Sequence, residues 1–213
     1  MSSAVDPVLV LVLMLNFLLL GTSRLPSAIN ASAAQGALLG LLTVLVNSSL
    51  ETRPALVAVA TIAIKGLLIP KLLHRSLREA GIRRDIEPYV SFVTSLVLCA
   101  VATGAAVVFA DRLPLTPAHH GSLMVPASLA TVLSGFLILS TRRKAITQVI
   151  GYLTLENGIF IMGLTLHETI PMLVEIGVLL DLLVAIFVIG IVINHISREF
   201  GSLDVGQLDT LKE

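Results

Sequence analysis

AITQVIGYLTLENGIFIMGLTL (145–166) is apolar enough to cross a membrane, yet it carries an acid, Glu156, near its centre. A charge at mid-bilayer costs on the order of 2.5–3.5 kcal/mol even on a lenient insertion scale. Two other apolar runs repeat the anomaly. ALVAVATIAIKGLLIPKLL (55–73) contains Lys65, and IPMLVEIGVLLDLLVAIFVIGIVI (170–193) contains Glu175 and Asp181. Ionisable residues so placed point to a path for protons or ions.

Depth follows from the helical rise. Glu156 stands eleven residues before His167, and Asp181 eleven after Ile170. Both therefore lie about 16 Å from the outer turn between the last two runs, near the bilayer midplane. Lys65 comes to about 15 Å from the outer end of its own run, and Glu175 to roughly 9 Å nearer the outside than Asp181. Glu175 and Asp181 also stand about 120° apart around their helix. Neither faces lipid cheaply, so that helix is expected to be wedged between protein neighbours, as in one member of a larger assembly.

Gln148, Tyr152 and Glu156 recur every fourth residue and so share one helical face. That row either lines waters that feed a proton to Glu156, or Gln148 and Tyr152 simply reach the headgroup region. Asn157 is placed to bond a neighbouring helix. The structural alternative for Lys65 is an ion pair with a carboxylate. One lysine cannot neutralise three acids, so some of these carboxyls hold protons at rest.

The rest of the chain fits this reading. Of 213 residues, 55% are hydrophobic and 13% charged, and mean hydropathy is +0.96. Soluble domains carry about 25% charged residues. Zero net charge excludes a broadly basic nucleic-acid surface. A single cysteine, Cys99, rules out an intrachain disulfide and is too few for an iron–sulfur cluster. The absence of Trp leaves thin aromatic belts at the interfaces. No zinc-protease, P-loop, nucleotide-binding glycine or nucleophile motif occurs, and His119, His120 and His167 lack the carboxylate spacing of a metal site.

Apolar runs long enough to span recur at Val5–Leu20, Ala28–Val46, Ala55–Leu73, Tyr89–Ala110, Leu123–Ser140, Ala145–Leu166 and Ile170–Ile193. The expected fold is an all-α integral membrane bundle of seven transmembrane helices, a single domain over 1–213. The first run lacks a basic leader and a cleavage site, and reads as a retained span. Lys71, Arg75, Arg78, Arg83 and Arg84, the trio Arg142, Arg143 and Lys144, Arg24, and the tail's Arg198 and Lys212 all fall on one side. By the positive-inside rule that side is cytoplasmic, which puts the N-terminus outside and the C-terminus inside. Six spans would break the pattern. Pro70 is expected to kink the third helix just below Lys65, and Gly66, Gly158, Gly163, Gly177 and Gly190 to allow close helix approach. The tail from Gly201 is either solvated or docks on a neighbouring protein through Leu203, Val205, Leu208 and Leu211.

AIKGLLIPKLL (63–73), QVIGYLTLENG (148–158), PMLVEIGVLLD (171–181) and GSLDV (201–205) resemble hydrogenase-4 component E, a membrane subunit of formate hydrogenlyase-type complexes. The last three spans, 123–213, are also similar to the NuoK-type subunit of complex I and to its small three-span counterpart in Mrp antiporters, with 1–122 as a four-helix addition. Glu156 matches the first membrane glutamate of that small subunit. The second matches Glu175 by local context, or Asp181 by distance from the tail. The resemblance implies a non-catalytic subunit in the membrane arm of an energy-converting nickel–iron hydrogenase, in a prokaryotic inner membrane. Its partners would be antiporter-like subunits, a quinone-binding-type subunit, and hydrogenase large and small subunits holding the nickel–iron and iron–sulfur centres; this chain would hold no cofactor and no metal. Lys65, Glu156, Glu175 and Asp181, with Gln148 and Tyr152, would carry its part of a midplane proton path. One alternative is a member of an Mrp-type cation/proton antiporter, whose corresponding small protein lacks the four extra helices. The other is a scaffold whose charges only pair with partners.

Overall fold

A computed structural model describes residues 4–46, 52–79, 86, 88–113 and 122–166. Among them every regular element is helical: α1 (Val5–Gly21), α2 (Leu25–Val46), α3 (Thr52–Thr61), a π-helical segment (Ile62–Leu68), α4 (Ile69–Glu79), α5 (Phe92–Ala110), α6 (Met124–Thr141) and α7 (Ala145–Thr165). Five helices are long and apolar enough to cross a membrane, the third span of the chain combining α3, the π segment and α4, and α1 is a shorter apolar helix. Lipid cannot hydrogen-bond a bare backbone, so a chain this apolar satisfies its amides within helices. Buried hydroxyls follow suit: Thr43, Thr131, Ser134 and Thr154 each donate to the carbonyl one turn back, at 2.7–2.9 Å. These helices fall on the first six expected apolar runs, five of them at membrane-spanning length. The seventh, Ile170–Ile193, and the tail lie outside the described residues.

Some boundaries differ from expectation for local reasons. α2 begins at Leu25 rather than Ala28, because Pro26 fits a first turn whose N–H groups need no partner. α5 begins at Phe92 rather than Tyr89. Tyr89 instead donates its N–H to the Thr141 carbonyl at 2.8 Å, Pro88 forms an isolated antiparallel bridge with Arg142, and Ser91 caps the helix by accepting the Thr94 N–H at 3.1 Å.

Just before Pro70, at which a kink is expected, the helix changes its hydrogen-bond pattern. Pro70 has no N–H to donate and its ring crowds the Gly66 carbonyl, four residues back. The helix answers by widening: Ile69 donates to Ile64, five residues back, and Ile62–Leu68 winds as a π-helix with Lys65 inside it.

α2 packs on α1, α7 and the third span, whereas α6 packs on α1, α5 and α7. These two helices are the hubs, with α1 and α7 between them and the third span and α5 on the flanks. Small residues bring backbones together. A Cβ on Gly158 would stand 2.6 Å from the Val132 nitrogen and 2.7 Å from the Ser128 oxygen, so α7 lies directly on α6. Likewise a Cβ on Gly36 would stand 2.5 Å from the Lys65 Cβ, which sets the π segment against α2.

Among the described residues, two apolar clusters pack the bundle. One, around Leu20, Ile29, Ile69, Leu73 and Ile150, gathers at the end holding the Arg142 connection. The other, around Leu9, Leu39, Met124 and Ile161, gathers at the opposite end. Buried polar residues occupy the level between them: Asn16, Gln35, Lys65, Thr131, Glu156 and Asn157.

Candidate functional site

Glu156 lies midway along α7 and Lys65 midway along the third span, and the bundle brings them together. Lys65 Nζ stands 2.9 Å from Glu156 Oε1, with the two side chains 3% and 2% exposed. The ammonium also donates to Asn157 Oδ1 at 3.1 Å and lies 5.3 Å from the centroid of the Phe160 ring. Three residues of one α7 face thus surround a single lysine, which fits helical spacing of one and four residues. The extra π residue sets the rotational position of Lys65. Desolvation of both charges opposes such a pair, and only close geometry with added hydrogen bonds offsets it. Here the two charges are in contact, and the Asn157 amide gives the ammonium a further acceptor.

A chain of amides continues from Asn157 that the ionisable residues alone did not disclose. Asn157 Nδ2 donates to Gln35 Oε1 at 3.2 Å. Gln35 Nε2 donates to Asn16 Oδ1 at 2.6 Å and to the Val12 carbonyl at 3.3 Å. Asn16 Nδ2 donates to Thr131 Oγ1 at 2.9 Å, and Thr131 donates to the Ala127 carbonyl at 2.7 Å. The line runs from the third span through α7, α2 and α1 to α6, entirely within the buried layer. The sequence does hold a signal for it. Asn16 in LVLMLNFLLL (11–20) and Gln35 in ASAAQGALLG (31–40) are the lone amides in otherwise apolar or small-residue stretches.

The other expected site residues lie elsewhere. Tyr152, one turn below Glu156, is half-buried and packs against the apolar cluster at the Arg142 end. Gln148 is exposed, and its amide reaches the Arg142 carbonyl at 3.4 Å. Glu175 and Asp181 lie outside the described residues. Among the described residues, no group of three His, Cys, Asp or Glu side chains could hold a metal ion.

Arg142, counted in the sequence among the basic residues of the cytoplasmic connections, is 1% exposed. Its Nη2 donates to the Leu20 carbonyl at the end of α1, at 2.6 Å, and its guanidinium lies 4.9 Å from the Phe92 ring centroid. Burial pushes the guanidinium below its ordinary pKa, but an arginine keeps its charge across the physiological range. Arg143, beside it, is exposed and stacks on Tyr89 at 4.4 Å.

No family model matches the chain, and no solved structure matches it. Among known proteins, the chain is 35% identical over 160 residues to an uncharacterised protein of Mycobacterium tuberculosis, covering 74% of this chain and 72% of that protein. It is 31% identical over 152 residues to hydrogenase-4 component E of Escherichia coli K12, covering 70% of this chain and 68% of that protein, and equally so to the component of the same name in Shigella flexneri. With that identity held over more than two thirds of both chains, this membrane helix bundle belongs to the hydrogenase-4 component E family.

Proposed function

We propose that this chain is a non-catalytic membrane subunit of an energy-converting nickel–iron hydrogenase complex, of hydrogenase-4 or formate hydrogenlyase type, and that it carries part of a midplane proton path. The observation that carries the reading is the Lys65–Glu156 pair, buried at the centre of the bundle. Intramembrane ionisable groups serve ion pathways by default. An acid beside a fixed cation can take up or release a proton as neighbouring charges change, because Coulomb terms are large at low dielectric. Redox chemistry in partner subunits with nickel–iron and iron–sulfur centres would supply that change. Glu175 and Asp181 would extend the path through the last span of a NuoK-like part, 123–213, and Gln148 and Tyr152 would connect it to the cytoplasmic side of a prokaryotic plasma membrane. Antiporter-like subunits and a quinone-binding-type subunit would be the membrane neighbours.

Gentle detergent purification of the tagged chain from its native membranes, with mass spectrometry of what stays bound, tests the assembly. Hydrogenase large and small subunits beside antiporter-like subunits are the expected partners. Antiporter-like subunits without a hydrogenase would move the assignment to a cation/proton antiporter. For the proton path the decisive variant is Glu156→Gln, in a complex that still assembles.

A further inference from the structure

Beyond Lys65 the third span carries three more cations. Counted from the buried polar layer, Lys71 stands about 9 Å nearer the Arg142 end, Arg75 about 15 Å and Arg78 about 20 Å. Half of a bilayer's hydrocarbon is about 15 Å thick. Lys71 is therefore rooted among acyl chains, whereas Arg75 and Arg78 lie at the phosphate level and beyond. All three are exposed, and at about 100° per residue they fall within an arc of about 60°. The opposite face of α4 buries Leu73, Ser76 and Leu77, so the row cannot turn inward. Leu67 and Leu68, one turn nearer the polar layer, are exposed on the same side at 55% and 44%. One strip of helix thus passes from leucine to cations at the depth where a membrane passes from acyl chain to phosphate. Among the described residues nothing pairs with Lys71 or Arg78. A lysine rooted in hydrocarbon is costly. Its stem is long enough to lie along the leucines while the ammonium rises to the phosphates.

We propose that this strip, Leu67, Leu68, Lys71 and Arg78 with Arg75 in the same row, binds one anionic phospholipid. The acyl chains lie on the leucines, and the phosphate accepts from Lys71 and Arg78. A partner protein would have to carry an acid into the hydrocarbon to neutralise Lys71, where a lipid phosphate is already at hand. The inference needs only that the chain spans a bilayer, so it stands apart from the proton path and from the hydrogenase assignment.

The chain has no tryptophan, so Leu68→Trp places a single reporter on the strip. The purified full chain with this substitution is put into phosphatidylcholine vesicles that contain brominated phosphatidylglycerol or brominated phosphatidylcholine, and quenching of its fluorescence is read. Phosphatidylglycerol should be preferred at the strip about tenfold, as two or three cations near the surface would give. Lys71→Gln with Arg78→Gln should bring that preference close to one. Arg143→Gln, which removes an exposed cation away from the third span, should leave it unchanged. No preference in the parent, a preference that survives the double variant, or one that Arg143→Gln also removes overturns the proposal. If the double variant fails to insert, salt decides: at about 0.5 M the parent's preference should fall severalfold, and a preference indifferent to salt overturns the proposal. In native membranes a carbodiimide should couple Lys71 to no neighbouring protein, and a crosslink from Lys71 to a partner's carboxylate would overturn it as well.

Discussion

Lys65 and Glu156 neutralise each other at the centre of the bundle, so the consequences of removing either side chain are not symmetrical. Lys65→Met leaves an acid that can go neutral by holding its proton, and the folded chain should persist. Lys65→Glu would set two acids in contact, and breaking a buried pair in this way costs about 3–5 kcal/mol. A large drop in thermal stability of the purified chain for Lys65→Glu, against a small one for Lys65→Met, is the expected result. Arg142 offers a second residue-scale test. Arg142→Met frees the Leu20 carbonyl and removes the stacking on Phe92, a loss of about 1.5–3 kcal/mol for a charge-assisted bond. Arg142→Lys should recover little of it, since an ammonium lacks the planar fork that reaches the carbonyl and lies against the ring. Lys65 and Glu156 were legible in the sequence because a charge in an apolar run stands out against its neighbours. The burial of Arg142 was not legible. In the sequence it reads as one more basic residue in a loop, and only the fold shows that α1, α5 and the Pro88 segment close over it.

Among the elements, the π segment connects covalent structure to the site. Pro70 removes one donor, the turn before it widens, and Lys65 is carried to the face that meets α7. Pro70→Ala restores the missing donor and lets the helix rewind as α. That shift of one residue turns Lys65 by about 100° around its axis. The variant should assemble but lose the ion pair, which would appear as a changed carboxylate band in the infrared spectrum that Glu156→Gln abolishes. Helices follow from apolar composition, so the first six expected runs were legible as helices, although the third continues to Glu79 rather than ending at Leu73. The π turn was not, because proline announces a break in the bonding pattern without saying how the helix before it rewinds. The same applies to close approach. Gly158 and Gly104 look alike in sequence, yet a Cβ on Gly158 meets the α6 backbone and one on Gly104 meets nothing within 4 Å. Gly158→Leu should therefore cost about 1–3 kcal/mol by overpacking. Gly104→Ala should stabilise the helix by about 0.5–1 kcal/mol. Thermal melts of the two variants in one detergent would distinguish the positions.

At the scale of the molecule, the described residues form two apolar cores separated by a polar layer that runs through the bundle. Membership of the hydrogenase-4 component E family gives that layer a setting, and the amide line from α7 to α6 gives it structural support. The amides escaped the sequence reading because Asn16 and Gln35 are uncharged and sit in different helices. Their shared depth acquires meaning only once α1 and α2 are known to pack side by side. The central claim is that Glu156 carries a proton when the complex turns over. The most direct measurement places the assembled complex in sealed vesicles, drives hydrogenase turnover, and follows proton movement with a pH-sensitive dye for wild type and Glu156→Gln. The account predicts that the variant keeps its partner proteins and its hydrogenase activity but moves few or no protons. A variant that moves protons at the wild-type ratio would contradict it.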